Sequence, residues 1–103
     1  MFGFSLNVDE DPIKVIFNGD LDIDSTEVVE EDLLPNIKSY QKVMLDFTEV
    51  LFVDSSGMGL LIHLVQTLQE EGVNVTIANV REEVMDVFNL LQLPDILGDD
   101  VFI

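Results

Sequence analysis

Within residues 50–62 the sequence changes from an apolar, extended pattern to a helical one, and the change falls at Asp54, Ser55, Ser56 and Gly57. Asp54 is placed to cap the helix, and the serine hydroxyls then lie near unpaired N–H groups of its first turn. Such a position stabilises a bound or covalent phosphate, because N–H groups and the positive end of the helix dipole face it. Helix capping alone explains the same residues, and spacing leaves both interpretations open.

Two glycines in the first turns of this predicted helix, Gly57 and Gly59, are poor residues for a helix interior. Each costs about 0.5 to 1 kcal/mol relative to alanine. Close approach by another backbone segment, or by a partner surface, would favour them because glycine has no side chain to collide with. We therefore expect tight packing or partner contact on this turn.

Strand and helix patterns alternate along the rest of the chain. Alternating apolar and polar residues predict a hairpin of two strands, and shorter apolar runs predict two further strands; the four cover residues 4–8, 13–17, 43–47 and 73–78. This alternation is typical of an α/β domain. A length of 103 residues suits one domain, so we expect residues 1–103 to form a single unit.

The first predicted helix follows an acidic loop. Asp24 and Glu27 have the spacing of a capping box, which places the helix start there. Val29, Leu33 and Ile37 share its apolar face. Pro35 falls inside this pattern, so the helix is expected to bend or end near Leu34.

Two further helices follow. The helix that begins at Ser55 is expected to end at Gly72, and the third covers residues 81–91. The residues expected to face the core are Met58, Leu61, Ile62, Val65 and Leu68 in one helix, and Val84, Val87, Phe88 and Leu91 in the other. Residues 93–103 are expected to form a turn and a short final strand.

The charge balance restricts the class of partner. Four basic residues stand against 21 acidic ones, which gives a net charge of −17. Such a charge opposes binding to nucleic acid and to anionic membrane surfaces. It fits a basic surface on another protein, but solubility alone explains it equally well, so the charge identifies no partner. No cysteine is present, and no run reaches the ~20 apolar residues of a membrane helix. We expect a soluble, cytoplasmic chain without membrane insertion.

Three other functions fit the residues less well. Asp20, Asp22, Asp24 and Glu31 have part of a calcium-loop spacing, but Ser25 replaces the required turn glycine. Asp46 ends a strand as a phosphoaspartate would, yet no lysine follows the fourth strand. For a hydrolase, the lone histidine, His63, lies roughly 12 Å along the helix from Ser55, too far for a catalytic base. We therefore expect no catalytic residue, metal or cofactor.

Residues 52–59, together with Gly19, Asp20, Leu21 and Asp22, resemble the STAS domain of bacterial anti-sigma-factor antagonists. The strand order and the segments 43–47 and 87–93 also have counterparts in that family. The resemblance implies a single STAS-like α/β domain, with a central mixed sheet of four to five strands and three to four helices packed mainly on one face.

The resemblance also implies a switch between partners. In that family the serine after the aspartate, here Ser55, is phosphorylated by an anti-sigma factor that is also a serine kinase. Unphosphorylated antagonist binds this kinase and frees a sigma factor, phosphorylation ends the binding, and a serine phosphatase restores it. The implied surroundings of the phosphorylation site are Asp20, Asp22, Asp24, Ser25, Asp54, Ser56, Gly57, Met58 and Gly59. The protein would then be a substrate rather than an enzyme.

Other relatives in the family leave an alternative open. Some STAS proteins are interaction modules in transport complexes or in stress-signalling scaffolds. This sequence differs from the usual antagonist pattern at Met58, where leucine is common, at Pro35, and in its short C-terminal segment. Met58 nearly conserves volume and should be tolerated. The alternative function is therefore a stand-alone STAS subunit of such a complex.

Overall fold

The computed structural model describes residues 2–103 and contains a mixed sheet of four strands. The strands are β1 (Gly3–Asn7), β2 (Ile13–Asn18), β3 (Lys42–Glu49) and β4 (Asn74–Ala78). They lie in the order β1-β2-β3-β4; β1 and β2 pair antiparallel, and the other two pairings are parallel. The predicted hairpin and both later strands are confirmed, with ends shifted by up to two residues.

One face of the sheet carries the core. Its buried residues include Val15 and Phe17 of β2, Leu45 of β3 and Ile77 of β4, while Lys14 on the other face stays partly exposed. Aromatic rings continue the core across the strands into the helical layer, and successive centroids from Phe2 through Phe17, Phe47 and Phe88 to Phe102 are 5.1 to 6.0 Å apart. Three of these ring pairs are edge-on and the Phe17–Phe47 pair is tilted, and such contacts stabilise beyond simple area burial. The helices accordingly pack mainly on one face.

Four helices and three irregular helical segments surround the sheet. In chain order they are a 3-10 turn (Ile23–Ser25), a π-helix (Val28–Leu33), α1 (Leu34–Ile37), α2 (Ser55–Glu70), α3 (Glu82–Leu90), α4 (Leu93–Leu97) and a 3-10 turn (Asp99–Val101). None of the helices within residues 2–103 combines the length and the apolar character needed to cross a membrane.

The predicted cap of the first helical region was wrong. Asp22, not Asp24, is the cap: its carboxylate accepts the Asp24 N–H at 3.1 Å, and the Ser25 hydroxyl accepts the Asp22 N–H at 3.1 Å. Because the chain enters a 3-10 turn directly after Asp22, Ser25 occupies the third position of the capping box that Glu27 was expected to fill.

The helix changes from π to α type at Leu34, one residue before Pro35, and does not end there. The Leu34 N–H donates to the Val29 carbonyl, five residues back, which is the wider π pattern. Pro35 then lies in the first turn of α1, where its missing N–H leaves no bond unmade, and the helix continues to Ile37. The predicted apolar face of Val29, Leu33 and Ile37 is confirmed as buried.

Helix α2 begins at Ser55 as predicted and ends before Gly72, which has φ +81°. The expected core residues are buried except Ile62, which is half-buried, and the buried face also includes Leu60 and Leu64. This face is wider than the predicted stripe because α2 contacts both β4 and α4.

Helix α3 buries less of its apolar side than predicted. Val84 and Phe88 are buried, but Val87 and Leu91 are 37% and 46% exposed, so their predicted inward orientation was wrong. Helix α4 packs against both α2 and α3 and supplies buried Leu93 and Leu97, which fill the core beside α3. Beyond α4, Phe102 makes a single parallel bridge with Ile77 in place of a full final strand.

Candidate functional site

The start of α2 holds the two serines on a capped helix end. Asp54 is the N-cap, and its carboxylate accepts the Gly57 N–H at 2.8 Å while its carbonyl accepts the Met58 N–H at 2.8 Å. Ser55 and Ser56 are both exposed. The cap therefore fixes the helix start without using either serine hydroxyl, and both hydroxyls face solvent.

A loop that is distant in sequence supports this helix start. Leu21 forms a parallel bridge with Val53; its N–H donates to the Phe52 carbonyl at 3.0 Å, and its carbonyl accepts the Asp54 N–H at 3.3 Å. In effect the two segments extend the β2–β3 pairing beyond the sheet. The loop of residues 19–25 and the serine junction, both predicted from sequence to belong to the site, thus lie side by side.

The two glycines of this turn have different surroundings. A Cβ atom at Gly57 would overlap the Leu21 carbonyl oxygen, so the predicted close approach of another backbone is confirmed there. Gly59 is exposed and has no atom within 4 Å of the position its Cβ would take. Packing within residues 2–103 therefore explains Gly57 but not Gly59.

The acidic loop beside the serines is held by a buried hydroxyl. Ser25 is fully buried, and its hydroxyl lies 3.2 Å from the Asp20 carbonyl, to which it donates, while accepting the Asp22 N–H. Asp20 and Asp24 are exposed and Asp22 is half-buried. Ser25 thus shapes the loop from inside, whereas the carboxylates form its surface.

The remaining predicted site residues also divide into buried or half-buried residues that support the site and exposed residues that form its surface. Met58 is buried at 3% exposure and packs in the core, and Asp54 is half-buried in its capping role. The outward-facing set consists of Asp20, Asp24, Ser55, Ser56 and Gly59.

Three exposed apolar side chains beside the serines were missed from the sequence. Ile23 is 67% exposed, Leu51 64% and Phe52 52%. Ile23 lies two residues after Leu21 and Phe52 one residue before Val53, so the bridge brings together the two chain segments that carry them. The sequence does contain a feature that could have predicted their exposure: these apolar residues flank polar turns and belong to no periodic apolar pattern. Exposed apolar side chains beside polar groups are typical of protein interaction surfaces.

Acidic side chains continue past the loop. Asp24, Glu27, Glu30 and Glu31 line a shallow cleft. The Glu27 carboxylate raises the pKa of Glu31 through repulsion and a shared hydrogen bond. Within residues 2–103, no group of three or more acidic, histidine or cysteine side chains is arranged to hold a metal ion. The four carboxylates of the cleft nevertheless make this side of the molecule strongly negative.

Asp46 lies inside β3, so its predicted position at the end of a strand was wrong. Its carboxylate accepts the Thr48 N–H at 2.9 Å, the Thr48 hydroxyl at 2.6 Å and the Asn79 amide at 3.2 Å, and it pairs with Lys14 at 3.4 Å. Burial raises the pKa of Asp46, but these hydrogen bonds outweigh burial and leave the pKa below its usual value. Asp46 joins β2, β3 and the turn after β4.

His63 is exposed and lies more than two turns beyond Ser55 on α2. Its Nε2 atom is 3.7 Å from a carboxylate oxygen of Glu30. His63 is therefore a solvated surface residue. The imidazole is directed at an acidic side chain and not at the serines, so the geometry provides an exposed hydroxyl without a neighbouring imidazole base.

Comparison with known sequences identifies the domain type. A model of the STAS domain matches residues 4–102. The anti-sigma-B factor antagonist of Bacillus subtilis (strain 168) is 26% identical over 97 residues, which cover 90% of this chain and 89% of that protein. The intermembrane phospholipid transport system binding protein MlaB of Escherichia coli (strain K12) is 36% identical over 50 residues, which cover 48% of this chain and 52% of MlaB.

Solved structures share the fold. The anti-sigma factor antagonist SpoIIAA in its unphosphorylated form superposes with a TM-score of 0.70 at 20% identity, covering 98% of this chain and 86% of that one. The Bacillus cell fate determinant SpoIIAA in its phosphorylated form superposes with a TM-score of 0.67 at 20% identity, covering 98% of this chain and 89% of that one. The single α/β domain with four strands in a mixed sheet is the architecture that these structures have.

Proposed function

This chain belongs to the STAS domain family, and from that membership we propose that it is an anti-sigma-factor antagonist controlled at Ser55. In the unphosphorylated state it binds an anti-sigma factor with serine kinase activity and so frees a sigma factor. Phosphorylation of Ser55 by that kinase ends the binding, and a serine phosphatase restores it. The match to the Bacillus subtilis antagonist over nearly all of both chains supports this role.

One observation carries the proposal: Ser55 is an exposed hydroxyl at the first position of a helix whose start is otherwise fully fixed. The Asp54 cap and the bridge from Leu21 hold the backbone there. A kinase needs its acceptor hydroxyl accessible and held in position. A phosphate at Ser55 also lies at the positive end of the α2 dipole, so the domain stays folded after modification.

The effect of phosphorylation on binding follows from charge. A phosphate adds about −1.5 to −2 charge next to Asp54 and across the bridge from the Asp22 loop. A kinase surface that accepts the neutral hydroxyl would have to accommodate this added, strongly hydrated group. Desolvation of the phosphate and the steric misfit of the larger group disfavour the complex, whereas the repulsion from the neighbouring carboxylates is present in the free protein as well. Binding is thereby reversed without any change of fold.

The apolar residues around Ser55 supply affinity. Ile23, Leu51 and Phe52 are each more than half exposed, and together they offer a partner an apolar contact area next to the serine. Large aromatic and aliphatic side chains at the centre of an interface contribute most of its binding energy. Because the rest of this surface is acidic, the matching surface of the kinase is basic with an apolar centre.

In this proposal the protein itself performs no catalysis. Ser55 has no imidazole beside it, because His63 is directed at Glu30. A serine nucleophile requires a base within hydrogen-bonding reach, about 2.6 to 3.2 Å. Ser55 is therefore a substrate for chemistry carried out by another protein, and hydrolase assays on esters or phosphates should give background rates.

The test uses wild type, Ser55→Ala, Ser55→Glu and, as the matched control, Ser56→Ala. Each protein is used to capture partners from the native lysate, and captured kinases are then purified and incubated with each variant and ATP. We expect a kinase-like anti-sigma factor on every variant except Ser55→Glu. Mass spectrometry should locate phosphate on wild type and Ser56→Ala but not on Ser55→Ala. Equal phosphorylation of Ser55→Ala and wild type would refute the assignment of Ser55.

A second candidate is a subunit of a transport complex, favoured by the 36% identity to MlaB over about half of each chain. The same capture experiment separates the two. Transport-system subunits bound equally by wild type, Ser55→Ala and Ser55→Glu would support the second candidate. A stress-signalling scaffold would be indicated by stable large assemblies of STAS proteins in place of a kinase.

A further inference from the structure

The outer side of α3 ends in an apolar surface that nothing else within residues 2–103 covers. Leu90 is 80% exposed, Leu91 46% and Val87 37%. Their spacing along the helix places the three side chains next to one another, and we name them the α3 patch. Single exposed apolar residues are common, but an adjoining group at the end of a helix marks an interaction surface.

The charges around the α3 patch define its partner. Glu83 and Asp86 are exposed and lie one turn before Val87 and Leu90 on the same side of the helix. The last turn of α3 contains no basic residue, so the negative end of its dipole has no compensating charge from its own turn. A protein that covers the patch must therefore bring positive charge next to its apolar side chains.

A second copy of this chain does not meet that requirement. Pairing two patches would bring the Glu83 and Asp86 rows of both copies close together, and each copy carries a net charge of −17. An amphipathic helix rich in lysine or arginine does meet it. Its apolar face would lie on Val87, Leu90 and Leu91, while its basic residues would reach the two carboxylates.

The α3 patch is remote from Ser55. Helices α2 and α3 both begin at the carboxyl edge of the parallel strands, and α3 runs back toward the opposite edge. Its last residue lies about 12 Å from its first along the helix axis. We propose that the α3 patch is a second docking surface that binds a basic amphipathic helix of another protein, whether or not Ser55 is phosphorylated. It is distinct from the switched surface at the start of α2.

The experiment titrates the isotope-labelled full chain with a synthetic helix that carries leucines along one face and lysines beside them. NMR chemical shifts should change in residues 83–91. Leu90→Ser should weaken binding by about tenfold or more, the loss expected from one large buried apolar contact. The matched control Val8→Ser removes an exposed apolar side chain just after β1, outside both proposed surfaces, and should bind as wild type does, as should Ser55→Glu.

Other results would overturn the proposal. Shifts centred on the acidic cleft at residues 24–31, or equal affinity for Leu90→Ser and wild type, would place the peptide elsewhere. Equal binding of a peptide with glutamates in place of the lysines would remove the charge argument. Concentration-dependent self-association that Leu90→Ser abolishes would identify a second copy as the occupant. Since none of these readouts involves a kinase, the outcome is independent of the Ser55 proposal.

Discussion

The first turn of α2 has two sides with contrasting roles. On the inner side, Gly57 lies under the Leu21 carbonyl and the Asp54 carboxylate binds the Gly57 N–H. On the outer side, Ser55 and Gly59 are exposed, and no atom lies near the position of a Cβ at Gly59. Because the inner contacts fix the backbone, the outer residues are presented rigidly without being enclosed. The contrast separates residues that build the site from residues that meet a partner.

Of the substitutions at this turn, Gly57→Ala on the inner side should lower the free energy of unfolding the most. The added methyl group would overlap a backbone oxygen, which cannot move without displacing the whole loop of residues 19–25. We expect the free energy of unfolding to fall by about 3 kcal/mol, despite the better helix propensity of alanine. Urea denaturation followed by circular dichroism measures the change. An unaltered midpoint would show that the loop is not held against α2.

Asp46→Asn tests a carboxylate that serves structure alone. At neutral pH the substitution should lower the free energy of unfolding by about 1 to 3 kcal/mol, because it disturbs a buried network. The folded-state pKa of Asp46 lies below its usual value. Its contribution is therefore complete above a pH of about 4 and is lost as the pH falls toward the folded-state pKa. Denaturation at several pH values should show the two proteins converging in acid, and a constant difference would contradict this account.

Asp54→Ala should have a smaller effect than either. Loss of a helix cap typically lowers stability by about 1 kcal/mol. The matched control Asp54→Asn keeps a capping oxygen and should stay within a few tenths of a kcal/mol of wild type. Thermal melting of both variants gives the comparison. If Asp54→Asn melts as early as Asp54→Ala, the negative charge at the helix terminus contributes and capping geometry alone does not explain the effect.

Gly59→Ala tests whether the outer side of this turn is open, and it should have the smallest effect on stability. With no atom near the added methyl group, the better helix propensity of alanine should stabilise the domain by about 0.5 to 1 kcal/mol. Binding to the kinase should nevertheless weaken if glycine is present to admit a close partner surface. Melting and binding are measured on the same samples. Lower stability would mean that the outer side is not open.

The sequence predicts those features that depend on local pattern. The strands, the start of α2 at Ser55 and the helix end before Gly72 follow from periodicity and turn chemistry, and the structure has each of them. The close approach at Gly57 was also predictable, because glycine in a first helical turn needs an external reason.

Features that depend on distant neighbours were not predictable. Val87 and Leu91 match the apolar stripe of α3, but periodicity does not reveal that Leu93 and Leu97 of α4 already fill the core beside it. Asp22 and Asp24 are equally plausible caps in isolation. The hydrogen bonds of the buried Ser25 select Asp22, and they form only in the folded loop.

The bridge between Leu21 and Val53 joins two stretches of chain that are distant in sequence and that continue the β2–β3 pairing. A short peptide with the sequence of residues 50–62 would contain Ser55 but not the Leu21 segment that supports the helix start. Under the proposed function, only completely folded copies compete for the anti-sigma factor. The effective concentration of antagonist is then that of the folded population, and a destabilising mutation anywhere in the core would reduce transcriptional output by lowering that concentration.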